Sequence, residues 1–199
     1  MAPAATGTTD ELPKLAILPA TPDRWEDLEA LFGPRGACAG CWCMYWRQTQ
    51  REFEAQKGEG NRRSFKAIVA GGSPPGVIAY AGREPIGWCA VGPRPDFSRL
   101  DRSRILKPVD DEPVWSIVCL FVTRAWRRRG VSVALLRGAA EFAVASGGRI
   151  VEGYPTEPRK DRMPDAFAWT GIASAYLAAG FTEVARRSDT RPIMRWGAP

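Results

Sequence analysis

An arginine-rich turn in the second half of the chain has the residue types that hold phosphates. Residues 127–130 read Arg-Arg-Arg-Gly, and they lie between an apolar run, Val114–Val122, and an apolar helical pattern that starts at Val131. The start of a helix presents N–H groups without partners in the helix and the positive end of the helix dipole, and arginines add charge-assisted donors. The spacing therefore predicts a site for a polyphosphate.

The chain contains no histidine, and this absence excludes several reaction mechanisms. Nucleophile systems of the Ser-His-Asp or Cys-His kind lack their base, and metal centres built on imidazole lack their ligands. Any chemistry must therefore use carboxylates, tyrosine, cysteine, lysine or backbone groups.

Three cysteines within six residues, Cys38, Cys41 and Cys43, have the spacing of half a zinc knuckle. A fourth ligand is missing, because Cys89 and Cys119 fall in predicted strands and no second cysteine pair follows. Reduced cysteines are more often small buried apolar residues, and here they adjoin an aromatic run with which they would line a pocket wall. No metal is therefore predicted, and metal binding by the three thiols is the open alternative.

The composition fits one folded domain with a basic surface. The chain has 199 residues, of which 45% are hydrophobic, and it has a net charge of +6 and a pI near 9.3. A basic balance indicates either a nucleic-acid surface or a pocket for an anionic small molecule. The arginines at 124 and 127–129 cluster at one turn, which favours a local phosphate site over a long basic stripe.

The start of the chain and its hydropathy indicate a location in the cytoplasm. Residues 1–13 mix Ala, Thr, Gly and Pro without periodicity and lack the layout of a signal peptide. They are predicted to form a flexible tail before a single domain at 14–199. No apolar stretch approaches the roughly 18 residues that a membrane-spanning helix needs. We therefore predict a cytoplasmic protein with no membrane partner.

Hydrophobic periodicity predicts helices and strands in a layered α/β arrangement. The run at 114–122 is apolar on both faces and is expected to lie centrally in a sheet. The segment 92–113 is polar, is flanked by prolines, and is predicted to be a long insertion. Strand patterns occur at 14–18, 77–81, 86–91, 114–122, 149–154, 181–185 and 192–196, and helical patterns occur at 21–32, 50–57, 61–70, 131–145 and 172–179.

Two segments resemble the GNAT family of N-acetyltransferases. Residues 122–136, Val-Thr-Arg-Ala-Trp-Arg-Arg-Arg-Gly-Val-Ser-Val-Ala-Leu-Leu, are similar to the family's acetyl-CoA-binding pattern, Q/R-x-x-G-x-G/A. Residues 174–181, Ser-Ala-Tyr-Leu-Ala-Ala-Gly-Phe, resemble its Tyr-x-x-x-Gly-Phe ending. The resemblance covers about 114–196, is weaker at 15–32, and is absent at 33–72. Two departures are Ser132, which replaces the final Gly or Ala, and Trp169, which stands where many members have an Asn near the pantetheine arm.

The resemblance implies a single GNAT-like domain with a mixed, mostly antiparallel central sheet that splays at the cofactor groove and is flanked by helices. It also implies acetyl-CoA as the cosubstrate. The backbone of the central strand would pair with the pantetheine arm, N–H groups after the turn would cradle the pyrophosphate, and Arg127 and Arg129 would add side-chain contacts. The implied cofactor-binding residues are Leu120, Phe121, Val122, Arg127, Arg128, Arg129, Gly130, Val131, Ser132 and Val133.

Tyr176 and Glu152 are the candidate catalytic residues. The resemblance implies that the phenol of Tyr176 lies near the CoA sulfur and protonates the departing thiolate, and the alternative is a core aromatic on an amphipathic helix. Strand alternation puts Glu152 on the face of Ile150 and Tyr154, where partial desolvation would raise its pKa and let it take the proton of the amine. The alternatives for Glu152 are an ion pair with an arginine or substrate binding without proton transfer, and a water relay would then remove the proton.

The aromatic run after the first helix is the candidate amine site. In GNAT-like enzymes this segment covers the acceptor side, so Trp42, Tyr45 and Trp46 are predicted to shape the pocket by stacking or cation–π contact, with core packing as the alternative. Acidic residues of a downstream loop would attract a cationic acceptor, namely Glu157, Asp161 and Asp165.

Together these features predict an acetyl-CoA-dependent N-acetyltransferase that transfers the acetyl group directly to an amine. A small-molecule amine is favoured over a protein or peptide lysine because the covering segments are long. The alternative is a non-catalytic protein on the same scaffold that binds acyl-CoA or nucleic acid. Against nucleic acid, the sequence has no helix-turn-helix, zinc-finger or RNA-reading signature. It specifies no oligomeric state, although a homodimer is the commonest assembly.

Overall fold

The fold is built on an open sheet of seven strands. The computed structural model describes residues 14–158 and 168–197, and the tail predicted at 1–13 lies outside this range. The strands are β1 Leu15–Pro19, β2 Gly76–Ala81, β3 Glu84–Pro93, β4 Val114–Val122, β5 Ile150–Gly153, β6 Thr182–Arg186 and β7 Pro192–Trp196. Their order is β1-β2-β3-β4-β5-β7-β6, and all neighbours are antiparallel except β4 and β5, which are parallel.

Helices cover both faces of this sheet. They are α1 Trp25–Phe32, α2 Gln50–Ala55, α3 Glu59–Ala70, α4 Ser98–Asp101, α5 Val131–Ala145 and α6 Ala173–Ala179. The first four contribute Trp25, Phe53, Phe65 and Leu100 to one buried cluster. Helices α5 and α6 contribute Leu135 and Tyr176 to the cluster on the other face. Within the described ranges, no helix has the length and apolar character that crossing a membrane requires.

The predicted fold class is confirmed, and the strand bounds agree with the predicted ones to within two residues. The segment 92–113 contains more structure than its polar composition indicates. Residues Arg94–Asp96 form a 3-10 turn, α4 follows, and Phe97, Leu100 and Leu106 are buried. These three apolar residues are too unevenly spaced among charged ones to produce a helical or strand pattern in the sequence.

β4 has a bulge near its middle. Its side chains pack into both clusters, with Val118 in one and Ile117 in the other. The register to β3 shifts where Ala90 faces Cys119 and Val91 faces Ile117, so Val118 is an extra residue on β4. A bulge of this kind bends the strand that carries it.

β4 and β5 separate beyond this bend. Residues 114–117 of β4 pair with β5, but β4 has nine residues and β5 has four. Past the paired part, the N–H of Leu120 donates to the carbonyl of Trp169 at 2.7 Å, and the N–H of Thr156 donates to the carbonyl of Gly171 at 2.9 Å. The sheet therefore splays as predicted, and the segment before α6 enters the gap between the two strands.

Gly153 lies directly against Tyr176 of α6. A Cβ atom on Gly153 would lie 1.9 Å from Cε1 of Tyr176, whose side chain is fully buried. We expect Gly153→Ala to lower the free energy of unfolding by about 1–3 kcal/mol, the usual range for overpacking. Gly92→Ala is the matched control in β3, because its Cβ would meet the part-exposed Asp96 side chain at 3.2 Å and should change stability less. Equal urea midpoints for the two variants would contradict this packing.

Candidate active site

The arginine-rich turn joins β4 to α5 and positions the start of that helix. After a 3-10 turn at Arg124–Trp126, the backbone adopts left-handed φ values at Arg128 (60°) and Gly130 (76°) before α5 begins. The N–H of Ala134 donates to the carbonyl of Gly130, so the N–H groups of residues 131–133 precede the first helical bond and have no partner within the helix. The predicted cofactor-binding residues of this first helical turn are Val131, Ser132 and Val133.

The three arginines of the turn differ in their contacts. Nε of Arg127 donates to the carbonyl of Val122 at 3.0 Å, which ties the turn to the end of β4. Arg129 lies over the ring of Trp126, with Cζ 5.4 Å from the centroid. All three arginines, including Arg128, are exposed, so an anion in solvent has access to them beside the helix start.

The strand residues predicted to contact the pantetheine arm point to different faces of the sheet. Leu120 and Val122 pack on the α5 side, whereas Phe121 packs edge-on against Phe32 at 6.0 Å between ring centroids. The N–H of Leu120 points into the gap and is bonded to Trp169. A pantetheine amide that pairs with this N–H must therefore displace the Trp169 carbonyl.

Tyr176 lies where β4 and β5 separate. Its side chain is fully buried, its ring packs edge-on against Phe181 at 5.0 Å, and its hydroxyl donates to the carbonyl of Thr170 at 3.2 Å. Burial raises the pKa of the Tyr176 hydroxyl well above its usual value, so the phenol is neutral at neutral pH. The burial agrees with the core aromatic that is one interpretation of Tyr176, and its ring lies beside the gap.

Glu152 lies in a buried ion-pair network. Its side chain is 1% exposed; Oε1 accepts from Nε of Arg195 at 2.9 Å, and Oε2 accepts from the hydroxyl of Tyr154 at 2.8 Å. Arg94 lies 3.7 Å from the same carboxylate, and Arg195 also donates to Asp110 at 2.6 Å. The structure therefore contains the ion pair with arginine that is one of the alternatives for Glu152.

A cavity of about 530 Å³ adjoins Glu152 and is lined also by Arg195, Asp110 and Trp115. Trp115 belongs to the start of β4, whereas the arginine-rich turn follows the end of the same strand. The cavity and the turn are therefore separated by most of the length of β4. The Glu152 carboxylate lies at the end of the sheet that is remote from the turn.

The aromatic run divides between the core and the gap. Trp42 is buried and stacks on Trp25 at 6.0 Å, which places it in the core. The rings of Tyr45 and Trp46 lie 5.1 and 5.7 Å from the ring of Trp169, the residue whose carbonyl is bonded to β4. Tyr45 and Trp46 therefore lie beside the gap.

The three clustered cysteines have different environments. Cys38 is exposed, the thiol of Cys41 donates to the carbonyl of Gly36 at 3.5 Å, and the buried Cys43 lies 3.6 Å from Cys119 between sulfur atoms. Burial raises the pKa of the Cys41 thiol to about 11, which keeps it protonated. Within residues 14–158 and 168–197, no three cysteine or carboxylate side chains come together in a group that could hold a metal ion.

Of the acidic residues predicted to attract a cationic acceptor, Glu157 belongs to the described part of the chain. It forms an ion pair with Arg186, which also donates to Glu183 at 2.6 Å. The charge of Glu157 is therefore offset by a neighbour. Asp161 and Asp165 lie outside the described residues.

The sequence patterns do not single out four arginines near these residues. Arg94 and Arg195 lie at the Glu152 carboxylate, Arg99 lies on the ring of Tyr45, and Arg191 bonds Thr170. Arg195 is a charged residue within the apolar strand β7, and that contrast is the one signal available for it. Arg94 stands between two prolines in the insertion, while Arg99 and Arg191 stand in polar segments. Such positions resemble many solvated surface arginines, so these three carry no comparable signal.

A family model for the acetyltransferase (GNAT) family matches residues 41–162. The protein belongs to the GNAT acetyltransferase family. The matched range begins in the aromatic run and includes β4, the arginine-rich turn and β5. The resemblance stated from the sequence is thereby confirmed.

Solved GNAT structures share this fold at low sequence identity. An acetyltransferase from Listeria monocytogenes is 10% identical, with a TM-score of 0.54, and the match covers 92% of this chain and 95% of that one. An acetyltransferase from Streptococcus agalactiae is 13% identical, with a TM-score of 0.53, and the match covers 91% of this chain and 94% of that one. The aminoglycoside N-acetyltransferase AAC(6')-Iy in complex with CoA is 17% identical, with a TM-score of 0.50, and the match covers 88% of this chain and 92% of that one. No curated protein matches the chain significantly.

The network around Glu152 implies a specific dependence of this GNAT protein's stability on pH. The guanidinium of Arg195 bonded to Asp110 holds the pKa of that carboxyl below its ordinary value of 3.8. The pair therefore stabilises the fold above the unfolded-state pKa, and this contribution is lost as the pH falls through the lower folded-state pKa. We expect Asp110→Asn to lower the free energy of unfolding at neutral pH. The difference in unfolding free energy between this variant and the unchanged protein should shrink below pH 3.8.

Urea unfolding at a series of pH values measures this difference. Asp111→Asn is the matched control, because Asp111 is the exposed neighbour of Asp110 and has no bond to Arg195. A deficit for Asp110→Asn that stays constant into the acid range would show that the Arg195 pair is not its cause.

Proposed function

We propose that the protein transfers the acetyl group of acetyl-CoA directly to a primary amine. One observation carries the proposal: the arginine-rich turn and the helix start at α5 follow the end of β4, beside the gap where β4 and β5 separate. The turn suits a pyrophosphate and the gap suits an amide-bearing arm, so one CoA molecule would span both. Membership of the GNAT family supports this, as does the CoA bound to the aminoglycoside N-acetyltransferase that shares the fold.

The reaction requires a nucleophilic nitrogen and a proton donor for the leaving group. The amine attacks the thioester carbonyl, the C–S bond breaks, and the thiolate takes a proton. Tyr176 is the proposed donor, because its phenol stays protonated and lies beside the gap. Its hydroxyl is bonded to Thr170, so this role requires the hydroxyl to exchange that bond for one to the sulfur.

Water is the proposed acceptor of the proton that the amine loses. Glu152 is engaged by Arg195 and Tyr154 and adjoins the cavity at the start of β4. Removing the charge of Glu152 would deprive Arg195 of one of its two carboxylate partners, and breaking a buried ion pair costs about 3–5 kcal/mol in comparable cases. In this proposal, Glu152 instead holds β5 against β7 through Arg195.

The proposed acceptor is a small molecule. The helices α1 to α4 and the insertion that contains α4 cover the face of the sheet on which Tyr45 and Trp46 lie. A lysine on a folded protein would need this face to be open, whereas a small amine needs only a narrow entrance.

A non-catalytic acyl-CoA-binding protein is the second candidate function. One observation favours it, namely the full burial of Tyr176, whose hydroxyl is bonded to the carbonyl of Thr170. Thiol release separates the two candidates. A non-catalytic binder binds CoA but releases no thiol from acetyl-CoA, whichever amine is present.

Removal of the turn arginines is expected to weaken CoA binding. A guanidinium that meets a phosphate forms charge-assisted hydrogen bonds, so we expect Arg128→Ala and Arg129→Ala each to raise the Kd of CoA about tenfold in calorimetry. Arg83→Ala is the matched control, because Arg83 is an exposed arginine in the turn between β2 and β3. Unaltered Kd values in both turn variants, or no CoA binding by the folded unchanged protein, would overturn the assignment.

Tyr176→Phe tests the proposed proton donor. General acid catalysis typically contributes at least about a hundredfold, so we expect kcat for thiol release to fall by that factor while the Kd of CoA is kept. Tyr80→Phe is the matched control, because its hydroxyl donates to Asp27 at 2.6 Å from β2 and lies away from the gap. Full turnover by Tyr176→Phe would show that this residue is a core aromatic only.

A further inference from the structure

Tyr45, at the edge of the gap, already has a guanidinium on its face. Cζ of Arg99 lies 4.0 Å from the centroid of the Tyr45 ring and 5.5 Å from that of Phe53. The ring of Trp169 packs edge-on against Tyr45 from another side. A substrate ammonium that approached this ring would meet the charge of Arg99, and like charges repel. The acceptor side of the gap therefore presents positive charge.

Arg99 has no acidic partner in the described part of the chain. Its Nε donates to the carbonyl of Gln48 at 2.8 Å, whereas its Nη2 is buried and has no hydrogen-bond partner there. Arg62, by contrast, bonds the carboxylate of Glu29. An unpaired buried donor on a charged group is destabilising, and a ligand that supplies the missing acceptor removes this penalty.

Arg191 is a second guanidinium near Tyr45. Its Nη1 donates to the hydroxyls of Thr156 at 2.6 Å and Thr170 at 2.8 Å, and Thr170 follows Trp169, whose ring lies 5.1 Å from that of Tyr45. Its partners in the described residues are hydroxyl and carbonyl oxygens, so its charge is not neutralised there. Thr170 is also the residue that accepts the bond from Tyr176, which places Arg191 next to the proposed proton donor.

A third arginine adds to this positive charge. Arg47 follows Trp46 in the aromatic run, its side chain is 8% exposed, and its Nη2 is another buried donor without a partner in the described residues. Asp96 lies 3.5 Å from Nη1 of Arg47 but is itself half exposed. Among residues 14–158 and 168–197, the three guanidiniums of Arg47, Arg99 and Arg191 therefore have one carboxylate partner, that of Asp96 on Arg47.

We propose that the acceptor is a primary amine that also carries a carboxylate, and that Arg99 and Arg191 bind this carboxylate beside Tyr45. Guanidinium groups match the planar, two-oxygen geometry of a carboxylate. With the carboxylate held at Tyr45, the amine of a small amino acid extends towards Trp169 and the gap. The inference rests on the proposed acetyl transfer and adds the class of acceptor to it.

Matched pairs of acceptors test this inference. Thiol release from acetyl-CoA is measured with the common amino acids and with the carboxamide of each, which keeps the amine and removes the negative charge. We expect kcat/KM for the best amino acid to exceed that for its carboxamide about tenfold or more.

Variants of the two arginines identify the source of the preference. Arg99→Met keeps an apolar stem on Tyr45. We expect this variant to bring the ratio of kcat/KM for the amino acid to kcat/KM for its carboxamide near one. The change should come from a higher KM for the amino acid, with the KM of acetyl-CoA unchanged. Arg191→Gln is expected to lower the same ratio. Arg83→Met is the matched control, because it removes the same charge from the exposed turn between β2 and β3.

The outcomes separate this inference from the proposed function. Carboxamides or simple alkylamines that react as fast as amino acids would refute the inference but not the proposed function. An unchanged preference for the amino acid over its carboxamide in both arginine variants would do the same. CoA binding without thiol release from any pair would refute the inference and favour the non-catalytic candidate. Failure of the folded protein to bind CoA would overturn the proposed function itself.

Discussion

The separation of β4 from β5 is the constraint on which the rest of the site depends. A strand inside a sheet needs partners for its N–H and carbonyl groups on both edges, and β4 loses those of β5 after Ile117. The bulge at Val118 bends the strand at this point. In this structure the carbonyl of Trp169 provides the partner for Leu120, and under the proposed function an amide carbonyl of the pantetheine arm would be an equivalent acceptor.

The two ends of the β4–β5 pair are built differently. At the start of the pair, the buried Glu152 and Arg195 and the part-exposed Asp110 form a network that joins β5 to β7 and to the insertion. Disrupting such a network leaves an unpaired charge in the interior, so this end resists opening. At the other end, backbone bonds to the segment before α6 bridge the strands. These bonds can be exchanged for bonds to a ligand while the network at the start stays intact.

Under the proposed function, the choice of acceptor resides in residues that lie outside the two family-like motifs at 122–136 and 174–181. Residues 45–48 and α4 bring Arg99 onto Tyr45, and Arg191 enters from the turn before β7. The shared fold accounts for the cofactor geometry, but a fold by itself names no substrate. Arg99 and Arg191 have no carboxylate partner among the described residues, and under the further inference they favour an anionic acceptor over a cationic one.

The sequence by itself determined most of the elements and the arginine-rich turn. The seven strands, the helix α5 and the glycine before it at Gly130 follow from periodicity and turn chemistry, because these depend on neighbours a few positions away. Strand alternation also placed Glu152 on an inward face. Only the tertiary structure decided that Glu152 meets Arg195 and that Arg99 lies on Tyr45. These contacts join residues that are distant in the chain, and a local pattern does not encode which distant side chains meet.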